Sequence, residues 1–245
     1  MRIGPNGIDA RGEHGDMVSH ALATIAYCSL LHVTRNREFE APSQAMVEFI
    51  EHAQDSETGG WGLQPGTKGD AVVTGWQILA LEAARCADLR VSDKTLRKTA
   101  EFLDRVQSEN GAYYGRTESG RDPTATAMGL LSRLYLGWKP EQEEVRRGTD
   151  YLEESGPTTR DVQFTFVATL LMRRCDGEAW HRWNAAQREL LVEAQEREAP
   201  ETGSWFQSDE INAARGGRLY QTLFSAMTLS VYYRFRALVC ASGET

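Results

Sequence analysis

The chain of 245 residues has little of what marks metal, membrane and nucleic-acid proteins. Its four cysteines include no Cys-x-x-Cys pair and its five histidines no His-x-x-x-His spacing, so the sequence predicts no metal site and no cofactor. No uninterrupted apolar run is long enough to cross a bilayer, and residues 1–7 contain no signal-peptide core. The formal net charge of −8 argues against binding to nucleic acid. We therefore expect a cytoplasmic protein without a transmembrane segment.

The composition is otherwise ordinary for a globular protein, with 41% hydrophobic and 25% charged residues. A chain of this length can bury a sizeable core, and we expect one domain over 1–245. All the cysteines fall on apolar segments, which favours buried free thiols over disulfides or metal ligands. They are Cys28, Cys86, Cys175 and Cys240.

The most informative feature that is present is a unit that recurs about every fifty residues. Each copy contains an amphipathic outer helix, a glycine–aromatic turn, a charged residue that starts an apolar inner helix, and a polar side chain four positions later. The inner helices start at Asp16, Asp70, Asp122, Asp161 and Arg218. A period of this size indicates stacked helical hairpins.

The spacing of apolar residues places both sets of helices. We predict inner helices over 16–33, 70–87, 121–137, 160–175 and 217–239, and outer helices over 42–55, 92–108, 140–154 and 182–197. The inner helices are apolar on more than one side and must be covered all round, which two concentric rings achieve. The sequence thus predicts an all-α protein, an α/α toroid of about five helical hairpins with an inner ring of five helices.

The first hairpin is incomplete, because the outer helix that should precede 16–33 is missing. Residues 1–15 also show no obvious polar cap, which a terminal repeat needs. We interpret this either as truncation of a larger parent or as a gap that the C-terminus or another subunit covers, in which case the chain would form an oligomer through its open N-terminal edge.

The glycine–aromatic turns carry a family resemblance. The segments from Phe49 to Trp61 and from Phe102 to Tyr113 resemble the QW repeats of squalene–hopene cyclases: a small residue, an aromatic, an aliphatic and Gln, followed by Gly-x-aromatic. Over essentially its whole length the chain is similar to the prenyltransferase and squalene-oxidase repeat group of terpenoid cyclases and protein prenyltransferases, especially to uncharacterised planctomycete-type members. The resemblance implies an α/α toroid with an apolar, isoprenoid-type ligand in its centre.

The catalytic motif of that family is degenerate in this chain. Class II terpenoid cyclases protonate an alkene with the middle acid of an Asp-x-Asp-Asp-Thr-Ala motif. The best match is Asp-Pro-Thr-Ala-Thr-Ala at 122–127, in which Thr124 stands in the position of the proton donor and Ala125 follows it. Neither side chain can protonate an alkene, so the comparison with the family predicts no class II activity. An Asp-rich Mg²⁺ motif, the zinc ligands of protein prenyltransferases and a Cys-Gly-Glu-Gln thioester are also missing.

The acidic residues at the inner-helix starts have two interpretations. As N-caps they would bond to the first turn of each helix and match its dipole; as a rim, Asp16 and Asp161 would bind a cation or a polar head group. If the chain is an enzyme that uses a different acid, Asp122 and Asp70 are the candidates. Arg218 breaks the pattern, because a helix N-terminus disfavours a cation, and this predicts either a partner carboxylate from Asp16 or Asp161 or a contact with the ligand.

His20 and two aromatic residues complete the set of candidates. His20 takes the polar position of the first repeat, either as a hydrogen-bonded core histidine or as a general acid near Asp16 and Asp122. Trp76 and Tyr220 would either line a ligand pocket or wedge between hairpins. The predicted site contains no metal, and its members are Asp122, Asp70 and His20 for catalysis and Asp16, Asp161, Arg218, Trp76 and Tyr220 for the ligand.

The sequence leaves four functions open. The first is a squalene-cyclase-like toroid that binds an apolar small molecule without cyclising it. The alternatives are an enzyme of the terpenoid cyclase or prenyltransferase type that uses another acid, a protein-interaction scaffold with a filled core, and a glycan-active barrel with paired rim carboxylates. A hollow centre would favour the first two, and a filled one would favour the scaffold.

Overall fold

The described part of the chain is mostly α-helical, which confirms the all-α prediction. The computed structural model describes residues 2–13 and 15–238. Within them lie nine α-helices: α1 Met17–Thr34, α2 Glu40–His52, α3 Ala71–Cys86, α4 Asp93–Val106, α5 Pro123–Tyr135, α6 Glu143–Ser155, α7 Val162–Cys175, α8 Gly177–Glu193 and α9 Ala213–Leu238. Two short antiparallel strand pairs accompany them: β1 Arg2–Gly4 with β2 Gly7–Asp9, and β3 Gln107–Ser108 with β4 Tyr113–Tyr114.

The nine helices lie on the ranges that the sequence predicted as inner and outer helices, and we keep these two names for the two sets. The inner set is α1, α3, α5, α7 and α9, and the outer set is α2, α4, α6 and α8. The last outer helix begins at Gly177 rather than at 182, because two consecutive residues with positive φ, Asp176 and Gly177, turn the chain from α7 into α8. The backbone of α9 breaks at Gly217, which has a φ of 56°, so its regular part begins where the sequence predicted the inner helix.

The chain divides into two compact units, and the first extends from the N-terminus to Trp138. In this unit α3 packs between α1 and α5 and is buried along almost its whole length. The approach of α5 to α3 is close: a Cβ atom on Gly75 would lie 2.6 Å from the sulfur of Met128. Between these two helices the core of the first unit is therefore filled.

The second unit covers Lys139–Phe235 and packs α7 against α8 and α6. The indole nitrogen of Trp183 on α8 donates to Oγ1 of Thr169 on α7 at 2.8 Å. The rings of Phe166 on α7 and Phe224 on α9 meet edge to face, with centroids 5.6 Å apart. Arg182 on α8 forms an ion pair with Glu153 on α6. These contacts hold the second unit together through aromatic packing inside and ion pairs outside.

The aromatic residues of the glycine–aromatic turns act as wedges between helices. The indole N–H of Trp61 donates to the carbonyl of Ile50 on α2 at 2.8 Å, and that of Trp205 donates to Leu191 on α8 at 2.7 Å. Both rings are buried, at 0% and 7% exposure. The repeat therefore reproduces one geometry in both units, in which the turn before an inner helix is anchored to the preceding outer helix.

The N-terminal segment forms a β-hairpin that the sequence did not predict. Strand β2 packs on α2, and a Cβ atom on Gly7 would overlap the carbonyl oxygen of Ala45, so only glycine fits there. Ile8 in the same strand is buried. The expectation that residues 1–15 provide no cap is therefore wrong. Two three-residue strands carry no helical period, which is why the periodicity did not reveal them.

The cysteines only partly match the expectation of free thiols. Cys28 and Cys175 are free, and burial raises the pKa of each thiol to about 12, which makes both unreactive. Cys86 is disulfide-bonded, so the prediction of a free thiol there is wrong. It lies at the half-buried last position of α3 rather than inside the helix. Cys240 lies outside the described residues.

Helix α1 is the one described helix that is long and apolar enough to cross a membrane, with a mean hydropathy of 1.3 over 18 residues. One such helix near an N-terminus is weak evidence, because core helices have the same composition. The described part of the chain therefore contains no clear transmembrane segment.

The tight contact at Gly129 leads to a stability prediction. A Cβ atom there would overlap the ring of Tyr114, whose hydroxyl is held by Arg133 Nε at 3.1 Å and whose backbone N–H is held by Thr126 at 3.1 Å. Because the ring cannot move away freely, we expect Gly129→Ala to lower the free energy of unfolding by about 1–2 kcal/mol, despite the better helix propensity of alanine. Urea denaturation measures this change. A gain in stability would show that Tyr114 yields without cost.

Candidate functional site

A polar side chain four positions into each inner helix holds the turn that precedes the helix. In four repeats it is a threonine whose Oγ1 accepts the N–H of one turn residue and donates to the carbonyl of the same residue. We call this pair of bonds the turn clasp. The accepting distances are 2.9 Å for Thr74 with Trp61, 3.1 Å for Thr126 with Tyr114, 2.9 Å for Thr165 with Thr158 and 3.0 Å for Thr222 with Trp205.

His20 replaces the threonine in the first repeat and makes an equivalent contact. Its Nδ1 accepts the N–H of Ala10 at 3.1 Å, and its Nε2 lies 3.1 Å from the carbonyl oxygen of Met46. The ring is fully buried and lies against Phe49, with centroids 4.8 Å apart. Burial lowers the pKa of His20 below its ordinary value, against smaller opposing effects of Met46 and Asp9. Since backbone groups occupy both nitrogens, this geometry fits the interpretation of a core histidine.

The four acidic residues at the inner-helix starts are all N-caps, as the first interpretation predicted. Each carboxylate accepts a backbone N–H two or three positions later. The distances are 3.0 Å for Asp16 with Ser19, 2.8 Å for Asp70 with Val72, 2.7 Å for Asp122 with Ala125 and 2.8 Å for Asp161 with Phe164. Each cap contributes about 1 kcal/mol to helix stability.

The two catalytic candidates among these acids are engaged in structure. Asp70 caps α3 through two N–H groups and also pairs with Arg116, whose Nε lies 2.9 Å from the carboxylate. Asp122 caps α5, and its backbone N–H donates to Tyr114. Both carboxylates are thus engaged in holding the starts of helices, which fits capping rather than alkene protonation.

Arg218 contacts an aromatic ring and a hydroxyl in place of the expected carboxylate. Its Nη1 donates to Oγ of Ser204 at 2.9 Å, and its guanidinium lies over the ring of Phe206 at 5.1 Å. Because the backbone breaks at Gly217, the side chain leaves the helix at its first turn and reaches back to the preceding glycine–aromatic turn. Arg218 therefore stabilises the same turn that Thr222 clasps.

Trp76, the aromatic candidate on α3, is 1% exposed and belongs to the core of the first unit. Of the eight candidate residues, the structure brings together Asp161 and Tyr220. The Tyr220 hydroxyl lies 3.4 Å from Oε1 of Gln163, which is in the first turn after the Asp161 cap, and 3.3 Å from Nδ2 of Asn212.

Glu210 is the residue of this cluster that the sequence analysis missed. It is 4% exposed and accepts the backbone N–H of Asn212 at 2.8 Å. Burial raises the pKa of Glu210, and the nearby charge of Asp161 adds to the effect. Burial, with Glu210 and Asp161, likewise raises the pKa of Tyr220. No repeat signal marks Glu210, because it precedes α9 in a loop that has no counterpart in the other repeats.

The loop that carries Glu210 is attached to the start of α7. The N–H of Ile211 donates to the carbonyl of Arg160 at 3.0 Å, and the Arg160 side chain pairs with Asp209 at 2.9 Å. Glu210 and Asp161 therefore share the N-terminal end of α7. Glu210 is therefore a buried carboxyl close to the charge of Asp161, and both effects favour its neutral form.

Four grooves described on the first unit have volumes of about 260 to 440 Å³. Arg35 lines one of them, Gln44 and Arg90 together line two, and the fourth lies beside Leu96 and Tyr135. None of the predicted site residues lines these four grooves. Across the described ranges, no three His, Cys, Asp or Glu side chains cluster closely enough to hold a metal ion.

Compared with known proteins, the chain matches no family model and no curated protein.

The turn clasp predicts the effect of removing a hydroxyl. In Thr74→Val the buried N–H of Trp61 loses its acceptor, so we expect a loss of about 1–3 kcal/mol in the free energy of unfolding. The matched control is Thr34→Val, because Thr34 is exposed: its hydroxyl donates to the carbonyl of Leu30 and accepts the N–H of Asn36, and water can replace both bonds. Chemical denaturation of both variants measures the difference. Equal effects would show that the clasp adds nothing to stability.

The raised pKa of Glu210 predicts a pH-dependent stability difference. A carboxyl group whose pKa is raised on folding contributes fully to stability below its unfolded pKa of 4.5, and this contribution is lost as the pH rises through the higher pKa of the folded state. Removing the charge of Glu210 should therefore stabilise the fold most at neutral pH. We expect Glu210→Gln to raise the melting temperature relative to the wild type more at pH 7.5 than at pH 4, by thermal denaturation monitored by circular dichroism.

Exposed Glu193 supplies the matched control for this experiment. Glu193→Gln should leave the difference from the wild type independent of pH. A Glu210→Gln variant whose difference from the wild type is the same at both pH values would contradict the assignment.

Proposed function

We propose that the chain is a squalene-cyclase-like α/α toroid protein that binds an apolar ligand of isoprenoid type on its inner helices and does not carry out class II cyclisation. The family resemblance of the glycine–aromatic turns motivates this proposal. Five inner helices whose preceding turns are held in equivalent ways support it. In this proposal the protein acts in the cytoplasm, without a cofactor.

The observation that carries the proposal is an exposed apolar face on the first and last inner helices. Along α1, apolar residues of this face recur at helical spacing, and the helix contains no Asp, Glu, Lys or Arg. We call this set the α1 stripe: Leu22, Ala26, Leu30 and Val33. The C-terminal end of this stripe is the more exposed, with Leu30 at 41% and Val33 at 67%.

A second set lies along α9, where no charged residue occurs between Leu219 and Tyr233. We call it the α9 stripe: Leu219, Leu223, Ala226 and Tyr233. Leu219 is 82%, Leu223 49% and Tyr233 83% exposed. Burying a leucine contributes about 1.5–3 kcal/mol, so a ligand that covered such a stripe would gain affinity from apolar area alone.

The engaged state of the predicted acids supports a binding role over cyclisation. Asp122 and Asp70 cap helices, and the family's proton-donor position is Thr124. One observation favours the alternative of an enzyme with another acid: Glu210 is a buried carboxyl with a raised pKa beside Asp161. For the alternative of a scaffold, the two stripes would take a protein partner or a second copy in place of a small molecule. The hairpin on α2 covers part of the N-terminal edge that was expected to form an oligomer.

The proposal is tested by direct binding of squalene and geranylgeraniol, delivered from cyclodextrin and measured by equilibrium partition. We expect Leu219→Ser combined with Leu223→Ser to weaken binding by about tenfold, which corresponds to the loss of about 1.4 kcal/mol of apolar burial. The control is Leu63→Ser, an equally exposed leucine in a turn outside both stripes. No binding, or equal loss in both variants, would refute the ligand role.

The same incubations separate binding from catalysis. We expect squalene and geranylgeranyl diphosphate to be recovered unchanged in product analysis by gas chromatography. Cyclised products that vanish in Glu210→Gln would replace the binding role by the enzyme alternative.

A further inference from the structure

The N-terminal segment of residues 2–11 lies across the first hairpin as a strap. Its strand β2 packs on α2, and the guanidinium of Arg11 donates to Oε1 of Gln64 at 2.6 Å and lies 5.7 Å from the Phe49 ring centroid. The bond that joins the strap to the inner helix α1 runs from the N–H of Ala10 to Nδ1 of His20. This contact is the first repeat's counterpart of the turn clasp.

The partners of His20 define which of its nitrogens carries the proton. The Met46 carbonyl can only accept, so Nε2 carries the hydrogen, and the Ala10 N–H can only donate, so Nδ1 offers its lone pair. In the other four repeats a threonine hydroxyl accepts the N–H, and a hydroxyl does not gain a proton in water at moderate pH. The first repeat therefore has the one clasp whose acceptor can be removed by protonation.

We propose that His20 is a pH-sensitive latch, in which protonation of Nδ1 releases the N-terminal strap from α1 and α2. Protonation replaces an N–H···N bond by two opposed N–H groups. It also places a positive charge at a site with 0% exposure beside the Phe49 ring. Release of the strap removes both penalties, because water then reaches the imidazolium.

The charged groups that act on His20 lie on the strap itself. Asp9 favours the charged imidazole and Arg11 opposes it, and the two residues pair with each other at 2.9 Å. From α2 the ring meets the Met46 carbonyl and the Phe49 ring. Burial outweighs these effects and lowers the pKa of His20 in the closed form. His20 therefore contributes fully to closing the strap above its ordinary pKa of 6.5. This contribution is lost as the pH falls from 6.5 through the lower pKa that His20 has in the closed form.

The strap can be followed by hydrogen–deuterium exchange at pH 7.5 and pH 5.5, with intrinsic exchange rates corrected for pH. Linkage changes the opening equilibrium by at most about tenfold per pH unit, and only below the ordinary His pKa of 6.5. About one pH unit of this range therefore contributes, and we expect up to about a tenfold gain in opening of the Ala10 amide and its neighbours. Amides in α3 should keep their protection at both pH values. Strap exchange that is independent of pH after correction would overturn the proposal.

Two variants test whether His20 is responsible. Gln can accept the Ala10 N–H and donate to the Met46 carbonyl without titrating, so His20→Gln should keep the strap closed at both pH values. The control is His52→Gln, which removes an exposed histidine of α2 and should open like the wild type. A His20→Gln strap that opens as much as the wild type would overturn the proposal.

If His20→Gln does not fold, a measurement on the wild type alone tests the latch proposal. Nitrogen-15 chemical shifts of the imidazole should report the Nε2–H tautomer at pH 7.5 and its conversion to imidazolium in step with strap exchange. An Nδ1–H tautomer at pH 7.5, or a strap that opens while His20 stays neutral, would overturn the latch.

Discussion

The constraint on which this structure depends is the need to satisfy buried backbone groups in the turn before each inner helix. Every such turn brings an N–H and a carbonyl into the core, where each would cost about 1–3 kcal/mol if left unbonded. A threonine hydroxyl serves both groups at once, because it donates and accepts. The threonine that recurs in the sequence repeat meets this requirement. Once Thr74 holds Trp61, the ring can anchor α3 to α2, and the next hairpin starts from a fixed turn.

The sequence could predict those features that local patterns determine. The inner and outer helices follow from apolar spacing, and the capping role of Asp70 and Asp122 follows from their position before an apolar run. Non-local features could not be predicted in the same way. Ala10 bonds to His20 because a two-stranded hairpin packs on α2, and strands of three residues are too short for a periodicity to indicate them. Glu210 reaches Asp161 through a loop that the other repeats lack.

The same reasoning separates structural acids from reactive ones. The carboxylates of Asp70 and Asp122 bond to the first turns of α3 and α5, and Asp70 also pairs with Arg116. Proton donation to an alkene needs a different environment, in which burial favours the neutral acid. Burial raises the pKa of Glu210, while Asp161 caps the adjacent helix. The acids that mark the repeat therefore serve the fold, and the buried acid lies outside the repeat pattern.

His20 shows how one substitution within a repeat changes what a structural contact can do. A threonine and a neutral histidine both accept an N–H from the preceding segment, so either preserves the fold at neutral pH. Only the histidine loses its acceptor when it is protonated, and in the first repeat the clasped segment is the strap of residues 2–11, a hairpin that packs on α2. The turns that the threonines clasp each lie between two helices of the chain. The exchange of Thr for His therefore has a consequence, because the bond that ties the strap to α1 can be lost by protonation while the helices behind it stay folded.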